Sequence, residues 1–174
     1  MILKPKKIIL HYSKTKDSKT VSWDDIQLYH ESYAYKGNII SEDEAMAAID
    51  QGINNHNIKL PWDETGYHAG SELINERYQI LFGRSWLKKG AHCRAKNMNN
   101  KSFGFVFVGD YDLVSPPVEM WNLGVKFIDM ILKIYNLTPD DVKGHREYDP
   151  SKTCPGMLFS LDKFRDDLKN EKFS

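Results

Sequence analysis

The sequence lacks the features that would mark a membrane, disulfide-framework or nucleic-acid-binding protein. No stretch of 18 apolar residues occurs in it, so nothing reads as a membrane span. It has only two cysteines, Cys93 and Cys154, too few in 174 residues for a disulfide framework, although a single bridge stays open. Excess charge of either sign is missing: 24 Lys and Arg balance 24 Asp and Glu. That balance removes both the basic footprint of nucleic-acid binding and the polybasic patch of a membrane anchor. The opening run Met1 to Leu10 has too short an apolar stretch for a signal peptide, so synthesis in the cytoplasm is expected. Internal repeats and low-complexity tracts are absent, as are Cys-x-x-Cys and His-Glu-x-x-His.

What is present fits one α/β domain spanning 1–174, a mixed central sheet covered by helices. A chain of this length buries roughly two-thirds of its unfolded surface and needs no staples. Lys7-Ile-Ile-Leu-His11 is a short apolar run without alternation, as expected of a strand buried on both faces. His11 closes it, at the carboxyl end where sites on open sheets tend to lie. Ser22 with Asp24 and Asp25 predicts a helix start, with Ile26, Tyr29, His30 and Tyr33 on one face. Ser41 and Glu44 form a capping box that predicts a second helix, ended at Asn54-Asn55. Gly66–Glu72 and Arg77–Phe82 read as strands joined near Asn75, 87–101 as a loop over a site, and Ser102–Gly109 as a central strand. Pro116-Pro117 opens the clearest helix, with a stripe at Val118, Trp121, Val125, Ile128, Leu132 and Tyr135. Lys143–Arg146 reads as a short strand, Pro150–Gly156 as a loop and Ser160–Leu168 as a last helix.

The chemistry-bearing residues are six histidines and two cysteines. Neutral imidazole and thiolate are the preferred ligands of zinc, and a catalytic site keeps one position open. His145 and Cys154 flank a loop long enough to curl back, with Pro155-Gly156 shaping the turn after the thiol. Spacing alone leaves other readings open. A lone strand-end His is ordinarily a hydrogen-bonded, half-buried residue, and a lone Cys a small core residue.

A wider pattern narrows the choice. Gly144-His-Arg-Glu-Tyr-Asp-Pro-Ser-Lys-Thr-Cys-Pro-Gly156 resembles the closing motif of the N-acetylmuramoyl-L-alanine amidases of the phage lysozyme and peptidoglycan-recognition type. Ile9-Leu-His-Tyr-Ser13 is similar to that family's first metal motif and Gly66-Tyr-His68 to its middle one. Gly90-Ala-His92 and Asn99-Asn-Lys-Ser-Phe-Gly104 resemble its loop-then-strand motif. The resemblance implies Zn2+ held by His11, His145 and Cys154, with Tyr67 and Lys152 as catalytic side chains. It implies His92 and Asn99 in a substrate groove. The expected partner is peptidoglycan, its glycan strand and stem peptide, with no nucleic acid and no membrane, and a monomer. The expected activity is zinc-dependent cleavage of the bond between N-acetylmuramic acid and L-alanine, in a phage or prophage endolysin acting on the wall after release. The alternative is a non-catalytic peptidoglycan-binding module, which has no need of Cys154, Tyr67 and Lys152 together. The segment 35–61 is longer than the pattern requires and is expected to be a helical insertion beside the groove. His30 is a candidate support for the metal site, His68 a structural residue, His56 a loop residue and Cys93 a free thiol.

Overall fold

The computed structural model describes residues 2–15, 23–53 and 57–170. The expected cap at Ser22, the helix end at Asn54-Asn55 and the loop residue His56 lie outside them. A five-stranded mixed sheet is built from β1 (Lys7–Tyr12), β5 (Ala69–Ile74), β6 (Arg77–Phe82), β7 (Ser102–Phe107) and β8 (Val142–Gly144), in the order β6-β5-β7-β1-β8. β1 is parallel to both neighbours, with His11 beside Val106 on β7 and Leu10 beside Gly144 on β8. β5 runs parallel to β7 and antiparallel to β6. Parallel strands are covered on both faces, which is why β1 and β7 read as continuous apolar runs.

The two faces have different contents. Ile8, Leu10, Tyr12, Phe103, Phe105 and Phe107 point into the main core, under α3 (Val118–Tyr135) and α4 (Leu161–Asn170). Ile9, His11 and Gly104 lie on the opposite side, where Ile9 packs with Cys93 and Met98 of the 87–101 segment. Period-2 alternation therefore sends aromatic bulk to one face and leaves the other to the histidine and a glycine. α1 (Trp23–Glu31) also lies on this second face, its Trp23 ring pressed on Gly70.

Several expectations need correction. α1 ends at Glu31, so Tyr33 leaves the helix face and opens β2 (Tyr33–Tyr35). β2 pairs with β3 (Asn38–Ile40) across Lys36 and Gly37, at φ 50° and 86°. Positive φ at both central positions is the turn that matches strand twist. The segment 35–61 is therefore not purely helical. It holds α2 (Glu42–Asp50), with its Ser41–Glu44 capping box, and β4 (Ile58–Lys59), which completes a three-stranded sheet in the order β3-β2-β4. Gly66–His68 precede β5 rather than forming its start. His145–Glu147 form a 3-10 turn after β8, not a continuation of the strand. In α3 the stripe is shifted: Val118 is 68% exposed, while Met120, Phe127 and Ile131 are buried with Val125, Ile128 and Leu132. The left-handed Asn136 ends that helix.

α3 approaches the sheet closely at Gly124, where an added Cβ would lie 2.5 Å from the Phe107 ring. Gly124→Ala would gain about 1 kcal/mol of helix propensity. Overpacking costs about 1–3 kcal/mol. The expected outcome is a lower midpoint of urea unfolding; a raised midpoint would show that the Phe107 ring gives way freely.

Candidate metal centre and active site

The parallel pairing of β1 and β8 delivers two histidines to one place. His11 is the penultimate residue of β1, and His145 follows directly after Gly144, the partner of Leu10. Their ring centroids are 4.7 Å apart. Cys154 returns to the same point through the 145–154 loop, and the ligand atoms of His11, His145 and Cys154 all lie within 4.8 Å of one another. His11 is 1% exposed, whereas His145 and Cys154 are half-buried, so the cluster is open on one side only.

The loop that carries Cys154 is held from several directions. The Arg146 guanidinium donates to the carbonyls of Thr153, Gly156 and Phe159, at 3.2, 2.6 and 3.0 Å. The Arg146 N–H donates to the Cys154 carbonyl at 3.0 Å. Asp112 accepts from the Tyr12 hydroxyl (2.6 Å), the Thr153 hydroxyl (2.9 Å) and the Met157 N–H (2.9 Å). Those donors keep the Asp112 carboxyl below the usual carboxylate range against its burial. The same carboxylate and burial push the Tyr12 phenol up to about 12. Charged and charge-assisted bonds of this kind are the stronger class. Sequence reasoning missed Tyr12, Asp112 and Arg146 as supports. Arg146 and Thr153 stand inside the recognised motif, but nothing local links either to Asp112, about forty residues away.

Tyr67 stands on a separate support, its ring centroid 5.2 Å from that of His11. Arg84 donates to the carbonyls of Glu64, Thr65 and Lys89, fixing the turn that leads to it. His30 Nδ1 accepts from the Gly66 N–H at 3.1 Å and lies 3.0 Å from the Thr65 hydroxyl. Its ring is stacked on Trp62 at 4.7 Å and lies 5.6 Å from the Tyr67 ring. His30 thus buttresses the tyrosine turn rather than the metal ligands. Burial and the neighbouring Cys154 push the Tyr67 phenol well above its ordinary value, so it stays protonated and able to donate. Lys152 is exposed. Its charge nevertheless acts on His145 and favours the thiolate of Cys154, whose pKa burial raises.

His92, expected in the substrate groove, lies against His11. Its ring is 8% exposed and stands behind His11, with His92 Nδ1 3.0 Å from His11 Nε2. Asn99 Oδ1 accepts from the N–H groups of His92 and Cys93, at 2.9 and 2.7 Å. Asn99 also lines a cleft of about 450 Å³ together with Trp62, Arg84, Lys89 and Arg94. A second cleft, of about 320 Å³, is lined by Ser13, Thr15, Tyr29, His30 and Tyr67. His68 is fully buried, its Nδ1 accepting from the Gly104 N–H (2.9 Å) and its Nε2 3.0 Å from the Lys88 carbonyl. Cys93 is buried and free.

The donor set fits zinc. Burial lowers the pKa of His11 and His145, keeping both as the neutral imidazoles that a metal requires, and the third donor is a thiol. The donor atoms, within 4.8 Å of one another, would draw together onto one ion to make bonds of about 2.0–2.3 Å. The family model for N-acetylmuramoyl-L-alanine amidase matches residues 2–157.

The chain belongs to the N-acetylmuramoyl-L-alanine amidase family.

Among curated proteins, peptidoglycan-recognition protein 2 of Holotrichia diomphalia is 32% identical over 89 residues, 51% of this chain and 45% of that protein. The match thus spans less than half the length of that relative. The amidase fold is shared with N-acetylmuramoyl-L-alanine amidase LysC from Clostridium intestinale, with a TM-score of 0.65 at 18% identity, covering 96% of this chain and 87% of that one. It is shared equally with the Ph2119 endolysin of a Thermus scotoductus bacteriophage, with a TM-score of 0.64 at 17% identity, covering 97% and 88%.

The buried imidazoles set an acid limit on the stability of this chain. Burial lowers both His30 and His68 to about 4. An unfolded imidazole titrates near 6.5. Between the two values the unfolded chain takes up protons that the folded chain refuses. Stability is therefore complete above about pH 6.5 and falls as pH drops toward 4, by about 1.4 kcal/mol per pH unit for each histidine. Melting of the chelator-treated protein should follow this slope, and His68→Gln should flatten it. A slope unchanged by His68→Gln would contradict the assignment.

Proposed function

We propose that this chain hydrolyses the amide bond between N-acetylmuramic acid and L-alanine in bacterial peptidoglycan, with zinc held by His11, His145 and Cys154. The observation that carries the reading is the convergence of these three donors beside the Tyr67 ring and within the field of Lys152. Bound there, zinc would polarise the scissile carbonyl and bring the pKa of its water toward about 7. The protein's own groups account for the rest. The Lys152 ammonium, free to swing over the open side, stabilises the oxyanion that develops when the carbonyl is attacked. Tyr67, held as a phenol, donates a hydrogen bond and orients the attacking water. His11 and the buried wall behind it exclude solvent from the inner side, which strengthens both effects.

Asn99 and Trp62, on the cleft of about 450 Å³, are the side chains we assign to the glycan or stem peptide. The 35–61 segment reaches this cleft through Lys59, which donates to the His30 and Ser32 carbonyls and lies over the Trp62 ring. We assign it a part in stem-peptide preference. The phage or prophage endolysin role belongs to the same proposal and is in keeping with the fold shared with the Ph2119 endolysin.

A second reading, a peptidoglycan-binding module that does not cut, is favoured by the identity to a peptidoglycan-recognition protein. The thiol at 154 with Tyr67 and Lys152 favours the enzyme, since binding alone requires none of the three. The two readings separate on purified wall material. The enzyme should hold about one zinc per chain and release new amino-terminal alanine, and Cys154→Ser should lose both. Lys152→Met should keep its zinc and lose roughly 10²–10³-fold in rate. Tyr67→Phe should keep its zinc and lose roughly 10²-fold. Wild-type protein that binds wall but frees no alanine after zinc is added would establish the binding module instead.

A further inference from the structure

His92 is the one histidine of the cluster that the proposed reaction does not use. It is also poorly placed to meet a substrate. The ring is 8% exposed and sits in a cage. A Cβ on Gly104 would lie 2.3 Å from its Cδ2, and one on Gly90 would lie 2.4 Å from the same atom. Gly104 is the β7 partner of Ile9, on the sheet face that carries His11, so the missing side chain makes the slot that the imidazole fills. From below, Asn99 Oδ1 fixes the His92 backbone N–H. The single side-chain bond the ring makes is to His11, from Nδ1 to Nε2 at 3.0 Å.

That contact decides which form of His11 can exist. A neutral imidazole carries one proton, on one nitrogen or the other. With Nε2 engaged by His92, Nδ1 is the nitrogen of His11 left for a metal, and it must then be unprotonated. With a metal on Nδ1, the His11 proton would sit on Nε2 and be donated to His92 Nδ1. This requires the His92 proton on Nε2. That atom is buried, outside regular hydrogen-bond geometry, with the Ser102 backbone available to the ring as an acceptor. The ring keeps its own proton inside the protein and offers only a lone pair to His11.

We propose that His92 is a positioning residue: it accepts the Nε2 proton of His11 and thereby holds His11 in the tautomer and ring orientation that bind the metal. The proposal rests on the reading of the His11, His145 and Cys154 cluster as a zinc site. Groups that orient metal-bound histidines in this way typically contribute 10–100-fold in metal affinity.

The test is zinc affinity of the full chain, measured by competition with a chromophoric chelator, with the cobalt-loaded protein's thiolate absorption as the sign that Cys154 still binds. His92→Leu, which removes the acceptor, should bind zinc 10–100-fold more weakly while keeping the cobalt–thiolate band. His92→Asn places an amide oxygen near the position of Nδ1 and should stay within about threefold of wild type. If His92→Leu does not fold, Gly104→Ala, which displaces the ring, takes its place and should also weaken zinc binding. Zinc affinity unchanged in the variant lacking a correctly placed acceptor would overturn the proposal. So would equal losses in His92→Asn and His92→Leu, which would mark a packing role. So would unchanged zinc affinity with weakened wall binding, the signature of a groove residue. Wild-type protein that binds no zinc at all would instead defeat the metal reading on which this one stands.

Discussion

The parallel registration of three strands governs this molecule. Because β1 lies between β7 and β8 and runs with both, His11 and the Gly144–His145 step emerge at the same edge of the sheet. Open sheets place their sites at that edge because several strands release their chains there side by side. The alternation along β1 and β7 does the rest. Six aromatic and aliphatic side chains fill the face under α3 and α4, and the opposite face carries Ile9, His11, Val106 and the gap at Gly104. A shift of one residue in β1 would send His11 into the aromatic core and Leu10 into the site, so the hydrophobic pattern that stabilises the sheet also fixes the place of His11, the proposed metal ligand.

Burying so many imidazoles carries a cost that the structure offsets by pairing. His68 has partners on both nitrogens, His30 accepts from the Gly66 N–H, and His11 and His92 bond to each other. Each is held neutral by burial, the state in which imidazole ligates metal or accepts a proton. The thiol side is built differently. Cys154 stands on a loop, and the loop is made rigid by ionised groups: the Arg146 fork on three carbonyls and the Asp112 carboxylate on two hydroxyls and an N–H. The outer part of the site thus depends on charge-assisted bonds and the inner part on burial.

Much of this was legible in the sequence, and the reasons differ from place to place. β1, β7 and α4 announce themselves because their apolar periodicity is what packs them. α2 announces itself through a capping box that depends only on residues three apart. The β2–β3 hairpin was obscured because Tyr33 continues the spacing of the helix before it, and the Lys36-Gly37 turn wins locally. Val118 fits the α3 stripe by spacing yet stands exposed, and the buried face of that helix begins at Met120. The candidate ligand trio was legible only through motif resemblance, His11 from Ile9–Ser13 and His145 and Cys154 from Gly144–Gly156. The supports of that trio were not legible, because the bonds of Asp112 to Tyr12 and Thr153 join residues about a hundred and about forty positions apart. His92 shows the same limit. Its motif marks it as part of the site, but which side of His11 it occupies is set by a gap on β7 that only the fold creates.

The central claim, that His11, His145 and Cys154 hold one zinc ion, is tested most directly by X-ray absorption at the zinc edge on the purified protein. The account predicts a shell of two nitrogens at about 2.0–2.1 Å and one sulfur at about 2.3 Å, completed by one light atom from solvent. A spectrum with no sulfur contribution, or protein that retains no zinc after incubation and desalting, would contradict it.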